Sequence, residues 1–241
     1  FTLTPVSETH GSYPLDADAA ALLSKTVFVG DSICLGLKAY KILPADHVVA
    51  YGGIGVRNVL DTSFAVNGQS CDLRTALQTL HPENVVFSLG MNDIRMETRA
   101  QYCENYRKLL ETVQEAMPDA KLYAVSITPV LSISEFTTNA NIDNYNAALR
   151  EFLEEYPAWG YLDVAPELKN AWNGLRYSYQ SGDGLHLTPA AYAPYLYQVS
   201  AQICSGQAAV ETTEKTSAAW TETTAVQQTE TAFTEISETQ S

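Results

Sequence analysis

The sequence predicts an α/β protein: a flavodoxin-like three-layer α/β/α sandwich around a five-stranded parallel sheet with strand order 2-1-3-4-5. Two observations carry this expectation. Short β-rich runs end at a glycine or in a loop, and the stretches between them have apolar residues that recur at helical spacing. Strands separated by helices favour a parallel sheet that is covered on both faces. The functional site of such a sheet lies at the carboxyl ends of its strands.

The predicted elements follow one another along residues 25–204. Strands are expected at 25–30, 47–51, 84–89, 121–127 and 160–164. Helices are expected at 33–43, 56–61, 72–80, 98–117, 141–156 and 189–204. Pro118 ends the fourth of these helices. The last helix has a well-defined start, because Thr188 is a good N-cap and Pro189 is favoured at the first helical position.

Composition divides the chain into three segments. Residues 1–24 mix Pro, Ser, Thr and small residues and are interpreted as an irregular lead-in, and 25–204 form the α/β domain. Residues 205–241 are rich in Thr and Glu, with six Glu and one Lys. Such a segment buries too little apolar surface to offset its chain entropy. We therefore expect a disordered tail, or a linker to further domains or to a surface.

Charge and composition exclude several classes of partner. The formal net charge of −14 disfavours nucleic acid and anionic membranes, which bind clustered Lys and Arg. No stretch approaches the roughly 20 apolar residues of a transmembrane helix. The four cysteines show neither a CxxC pair nor metal-ligand spacing; Cys34 is interpreted as a small buried thiol, and a disulfide among the others stays open. The chain opens at Phe1 and is interpreted as a processed or trimmed product.

Three short motifs carry candidate catalytic groups: Gly30-Asp31-Ser32, Gly90-Met91-Asn92-Asp93 and Asp183-Gly184-Leu185-His186. Ser32 closes a strand and opens a helix, so its backbone N–H can stabilise an oxyanion. His186 is the best general base among four histidines, because Asp183 precedes it in a loop and can orient its ring. The Asn92 amide is a second donor for an oxyanion.

Each motif also has a purely structural interpretation. Gly30-Asp31-Ser32 fits a strand-to-helix turn, Asn92 and Asp93 fit caps of a helical turn, and Asp183 fits a helix cap. A serine hydroxyl needs a neighbouring base to become a nucleophile, and the ordered set supplies both. The set as a whole therefore favours a serine hydrolase. Cys34 stands where the Gly-x-Ser-x-Gly elbow of α/β-hydrolases requires glycine, which argues for a different hydrolase fold.

Over about residues 26–203, the motifs resemble those of the SGNH (GDSL-type) hydrolases, with Ile33 where leucine is usual. The resemblance implies that Ser32 is the nucleophile and that Asp183 and His186 complete the triad. It also implies an oxyanion hole formed by the N–H of Ser32, the N–H of a glycine in the second of the family's conserved sequence blocks (block two), and the Asn92 amide. Block two, here residues 53–57, departs from the family pattern. Gly55 is the favoured donor there, and Gly53 is the alternative.

The resemblance implies an esterase that uses neither a cofactor nor a metal and works through an acyl-enzyme. The leading hypothesis is a secreted or cell-surface, bacterial-type esterase that removes short acyl groups, O-acetyl above all, from carbohydrate. The alternatives are a short-chain lipase, lysophospholipase or thioesterase acting on a small-molecule ester, and a non-catalytic surface-binding module. Predicted loops offer polar side chains for sugar hydroxyls: Thr128, Ser132, Asn139, Asn141, Tyr177 and Tyr179.

Overall fold

A five-stranded parallel sheet forms the centre of the structure, a computed structural model in which residues 13–208 are described. Its strands are β1 (Thr26–Gly30), β2 (Val48–Ala50), β5 (Asn84–Ser88), β6 (Lys121–Val125) and β7 (Trp159–Leu162). They are ordered β2-β1-β5-β6-β7, and a separate hairpin of β3 (Phe64–Val66) and β4 (Gln69–Cys71) lies outside the sheet. Counted within the sheet alone, the order is 2-1-3-4-5, which confirms the predicted topology.

Seven α-helices occur among the described residues: α1 (Ala17–Leu23), α2 (Ser32–Ala39), α3 (Leu73–Leu80), α4 (Arg99–Ala116), α5 (Asn139–Glu154), α6 (Ala165–Leu168) and α7 (Pro189–Cys204). Successive side chains of a strand point to opposite faces. Val27 and Val29 accordingly pack with residues of α3, α4 and α5, whereas Phe28 packs with residues of α1, α2, α6 and α7. Both faces of the sheet are therefore buried, as the three-layer prediction requires.

The helix starts follow the capping residues of the sequence. Asp72 accepts a hydrogen bond from the Thr75 N–H at 2.8 Å, and Thr98 forms a capping box with Gln101. Thr188 holds the N-cap position of α7 as expected, but its hydroxyl donates to the Ser178 carbonyl instead of accepting from the helix. The position was therefore predicted correctly, while the capping bond was not.

Two local predictions were wrong. The lead-in 1–24 is not irregular throughout, because Asp16 caps α1 and Leu23 is buried against the domain. The predicted helix at 56–61 is only a short 3₁₀ turn over Val59–Asp61, and the hairpin that follows it was missed. Asn67 and Gly68 both have positive φ at the tip of this hairpin. An Asn-Gly pair is the sequence signal for such a turn.

The described chain continues past the predicted domain end at residue 204. Ala208 is buried beside β7, so the domain extends at least four residues further. Most of the Thr/Glu-rich segment, 209–241, lies outside the described residues, as do 1–12, so its predicted disorder stays a prediction. All four cysteines are free thiols, and Cys34 is buried as expected. Within 13–208, no helix is both long and apolar enough to cross a bilayer.

Candidate active site

The candidate nucleophile lies where β1 turns into α2. Asp31 caps the helix by accepting the Ile33 N–H at 2.9 Å, which makes Ser32 its first residue. The turn is tight, because a Cβ built on Gly30 would lie 2.3 Å from the Ser88 carbonyl oxygen of the neighbouring strand. Glycine therefore permits the close approach that places Ser32 at the carboxyl edge of the sheet.

The structure joins the three predicted triad residues in one chain of hydrogen bonds. His186 Nε2 is 2.9 Å from Ser32 Oγ, and His186 Nδ1 is 2.5 Å from Asp183 Oδ2. The other Asp183 oxygen accepts the N–H groups of Leu185 and His186, both at 2.9 Å. Gly184 takes a positive φ of 76° within this loop. The short Asp-x-x-His spacing thus becomes a rigid turn that presents both side chains on the same side.

The Asp183 carboxylate is ionised at neutral pH. Partial burial alone would raise its pKa, but the hydrogen bonds from the His186 ring and from the backbone N–H groups of Leu185 and His186 outweigh that effect and lower the pKa to about 2. Its side chain is 51% exposed. A negative charge bonded to Nδ1 fixes the orientation of the His186 ring.

Asn92 lies opposite the triad, after β5. Its amide nitrogen donates to the Ile54 carbonyl at 2.9 Å and lies 3.4 Å from Asp31 Oδ2. The Asp31 carboxyl is buried, and burial raises its pKa to about 7. Asn92 thereby links the turn that carries Ser32 to the loop after β2.

The two candidate glycines of block two differ in the state of their N–H groups. Gly55 is buried and donates to Asn58 Oδ1 at 2.8 Å. Gly53 is exposed with φ of 79°, and within residues 13–208 no protein group accepts from its N–H or from that of Ser32. The N–H of Gly55, the preferred donor, therefore already has an acceptor, whereas the N–H of Gly53, the alternative, is available to a ligand.

A buried ion pair, which sequence analysis missed, holds the Gly53–Arg57 loop against the loop that carries Asn92. Asp93 accepts the Val56 N–H and an Arg57 guanidinium N–H, each at 2.9 Å. Arg57 also donates to the Asn92 carbonyl at 2.9 Å. A Cβ on Gly55 would lie 2.1 Å from Asp93 Oδ1, so glycine permits this contact. Asp93 was interpreted as a cap of a local turn, but its carboxylate bonds to residues 36 and 37 positions earlier.

Half of the polar side chains expected to meet sugar hydroxyls are not accessible. Thr128, Asn139 and Tyr179 are buried. The Asn139 side chain accepts the Val130 N–H at 2.9 Å and donates to the Val130 carbonyl at 2.8 Å. Ser132 and Tyr177 are exposed, and Asn141 is partly exposed. The prediction is therefore wrong for Thr128, Asn139 and Tyr179; for Asn139 the reason is that the chain after β6 folds back onto it. Among the described residues, no group of three His, Cys, Asp or Glu side chains is arranged to hold a metal ion.

Comparisons with solved structures place this fold among known ones. A proposed platelet activating factor from Streptococcus pneumonia is 18% identical, with a TM-score of 0.60, 78% of this chain covered and 92% of the other. A GDSL-like lipase from Bacteroides thetaiotaomicron is 17% identical, with a TM-score of 0.57 and coverages of 78% and 94%. A carbohydrate esterase of family 3 from Talaromyces cellulolyticus is 16% identical, with a TM-score of 0.54 and coverages of 75% and 96%.

The sequence itself identifies the family. No curated protein matches the chain. The family model of the GDSL-like lipases and acylhydrolases, however, matches residues 28–193, which is more than half of the chain and contains all three motifs. The matched region runs from within β1 into α7 and so includes part of β1 and the other four strands of the sheet. The chain therefore belongs to the GDSL-like lipase/acylhydrolase family of hydrolases.

Proposed function

We propose that the protein is a serine esterase that removes short acyl groups, in the first place O-acetyl groups, from carbohydrate through an acyl-enzyme on Ser32. One observation carries the proposal: the unbroken hydrogen-bond chain from Asp183 through His186 to the Ser32 hydroxyl. This arrangement supplies a nucleophile, a general base and a charge that orients the base. The extracellular location expected from the sequence stays a prediction.

In the first step, Ser32 Oγ attacks the ester carbonyl while His186 Nε2 takes the hydroxyl proton. Asp183 stabilises the imidazolium that forms, and its low pKa keeps it ionised throughout. The protonated His186 then gives its proton to the departing alcohol oxygen, which leaves an acyl-Ser32 ester. Water attacks this ester in the second step, with His186 again as base, and releases the acid and the free serine.

The oxyanion of each tetrahedral intermediate needs donors that point at it. The N–H groups of Ser32 and Gly53, which have no protein acceptor among the described residues, are the first two donors in this proposal. The Asn92 amide is the third, and it has to share or exchange its bond to the Ile54 carbonyl when substrate arrives. Loss of one such donor typically lowers kcat by about 10²–10³-fold.

Two fold neighbours support the substrate class. One is described as a carbohydrate esterase of family 3, and another as an acetyl esterase with bound acetate, at 15% identity and a TM-score of 0.53. The loops at the carboxyl end of the sheet also expose polar and aromatic side chains, among them Ser132, Trp172 and Tyr177. A long acyl chain needs a continuous apolar groove, since each buried CH₂ contributes about 0.8 kcal/mol.

A fluorophosphonate probe tests the catalytic part of the proposal. The wild-type protein is expected to become labelled and to lose activity toward p-nitrophenyl acetate, whereas Ser32→Ala is expected to resist labelling and to have lost most of its turnover. Ser181→Ala is the matched control, because Ser181 is an exposed serine in the loop that carries His186. Near wild-type hydrolysis by Ser32→Ala would refute the nucleophile assignment.

The acyl series tests the substrate part. We expect kcat/KM to fall steadily from p-nitrophenyl acetate to butyrate to octanoate, and acetate to be released from acetylated polysaccharide. A preference for octanoate would favour the lipase alternative. Neither hydrolysis nor labelling, in a folded protein, would favour the binding-module alternative.

A further inference from the structure

Trp172 is 84% exposed, although tryptophan is one of the residues that folded proteins bury most on average. It lies in the loop between α6 and α7. Ile133, 86% exposed, lies in the loop between β6 and α5. Neither side chain belongs to the core or to the triad. Isolated apolar side chains on a protein surface are ordinary, so the surroundings of Trp172, and not its exposure alone, carry the argument.

The loop that carries Trp172 is rigid. Lys169 and Leu175 form a β-bridge across its base, and Asn170 Oδ1 accepts the N–H groups of Trp172 at 2.9 Å and Gly174 at 3.2 Å. Asn173 has a positive φ of 63° and donates to Asp143 of α5 at 2.8 Å. A loop fixed by this many bonds loses little entropy when Trp172 binds something.

The same loop is connected to the candidate active site through one short segment, 130–134. On one side, the Leu175 N–H donates to the Val130 carbonyl at 2.8 Å. On the other side, the Leu131 N–H donates to the carbonyl of Gly184, inside the Asp183–His186 turn, at 2.8 Å. These two bonds fall on adjacent residues, and the exposed Ile133 lies two residues beyond Leu131. Trp172 and the catalytic turn thus flank the same strip of backbone.

We propose that Trp172 is a stacking platform for a sugar ring of a neutral glycan that carries the acyl group into the site, an inference that rests on the proposed function. Flat aromatic faces pack against the apolar faces of sugar rings, and the exposed Ser132 and Asn173 beside the platform offer hydrogen bonds to hydroxyls. The net charge of −14 disfavours an acidic glycan. A stable protein partner would need an interface of about 1,000 Å² or more, far beyond two isolated side chains.

Kinetics with two substrates test the platform. For Trp172→Ala, we expect KM toward a short acetylated xylo-oligosaccharide to rise about 3- to 10-fold with little change in kcat, the range expected for one lost stacking contact. Hydrolysis of p-nitrophenyl acetate, which has no sugar ring, should be unchanged. Tyr40→Ala is the control: Tyr40 is an exposed aromatic at the far end of α2, which begins at Ser32 and leads away from the site.

Direct binding separates the failure of this inference from that of the proposed function. The Ser32→Ala protein is titrated with the same oligosaccharide while tryptophan fluorescence is recorded, alone and combined with Trp172→Phe. A saturable change that Trp172→Phe removes supports the platform even if the wild type hydrolyses nothing. Equal KM values for wild type and Trp172→Ala, or no fluorescence change in an active esterase, would overturn it. An equal loss on both substrates would also overturn it, since Trp172 would then act through the fold.

Discussion

The two sides of the candidate site each contain a carboxylate, and the two are held in opposite ways. Asp183 is 51% exposed, and its partners lie two and three residues along the chain. Asp93 is fully buried, and its partners Val56 and Arg57 come from a distant part of the sequence. The Asp183–His186 side is thus a local turn on the surface, whereas the Asp93 side, next to the proposed oxyanion donor Asn92, is a long-range contact inside the domain.

This difference separates Asp183, whose proposed role is chemical, from Asp93, which supports the fold. A local turn depends little on the rest of the fold, so its carboxylate can be changed with little effect on stability. A buried carboxylate that joins two loops contributes to the folded state itself, because removing it leaves a backbone N–H without its acceptor and an arginine without its counter-charge. The two sides should therefore respond to the same substitution, Asp to Asn, with opposite patterns.

The largest effect is expected for Asp183→Asn. The substitution favours the wrong ring tautomer of His186 and removes the charge that stabilises the imidazolium, so kcat should fall by about 10⁴-fold. The melting temperature should change little, because the side chain is half-exposed and its backbone bonds can be kept by the amide oxygen. Steady-state kinetics and thermal denaturation measure the two quantities. Retained turnover would show that Asp183 does not orient the base.

Asp93→Asn should show the reverse balance. One amide oxygen replaces a carboxylate that accepts from both Val56 and Arg57, and the expected loss is about 2–3 kcal/mol in the free energy of unfolding. Urea denaturation measures this loss. Glu83→Gln is the control, since Glu83 pairs with Lys25 at the surface and its loss should change stability by less than about 0.5 kcal/mol. Equal effects of the two substitutions would contradict a supporting role for Asp93.

The same contrast explains which features the sequence could predict. Asp183 and His186 lie in one short motif whose geometry is set by neighbours in the chain. Ser32 is 154 residues from His186, and their contact was predicted from the ordered set of motifs and its resemblance to a family, not from local geometry. The Arg57–Asp93 pair could not be predicted, because its partners are 36 residues apart and their meeting depends on how two loops pack.

Gly55 illustrates a third case. It was the favoured donor from a block two that departs from the family pattern, but its N–H is taken by Asn58, three residues on, in a turn that leads into the segment 56–61 predicted to be a helix. The strands and the sheet order were predictable because alternation of buried strands and amphipathic helices repeats along the whole chain. Which acceptor a single N–H group bonds to depends on one side-chain contact, and no repeated pattern in the sequence signals it.

The smallest effect concerns Asp31, the buried N-cap of α2. Burial is the main cause that raises its pKa from 3.8 to about 7; the nearby Asp93 carboxylate adds to the rise, while the Ile33 and Cys34 N–H groups and His186 oppose it. Between these two pH values the unfolded chain holds fewer protons at this site than the folded one, so stability falls as pH rises. From pH 6 to pH 8, the wild type should lose about 1.4 kcal/mol through this group.

Asp31→Asn removes that titration, so its stability should be flatter than that of the wild type between pH 6 and pH 8. The amide oxygen can still accept the Ile33 N–H, which keeps the cap. Asp72→Asn is the matched control, because Asp72 is the exposed N-cap of α3, and hydrogen bonding from Thr75 lowers its pKa. The stability that Asp72 contributes is present above its ordinary pKa and is lost only in acid, so this substitution should leave the slope between pH 6 and pH 8 unchanged. Urea denaturation at the two pH values measures both slopes, and equal slopes for Asp31→Asn and the wild type would show that the buried cap is already ionised at pH 6.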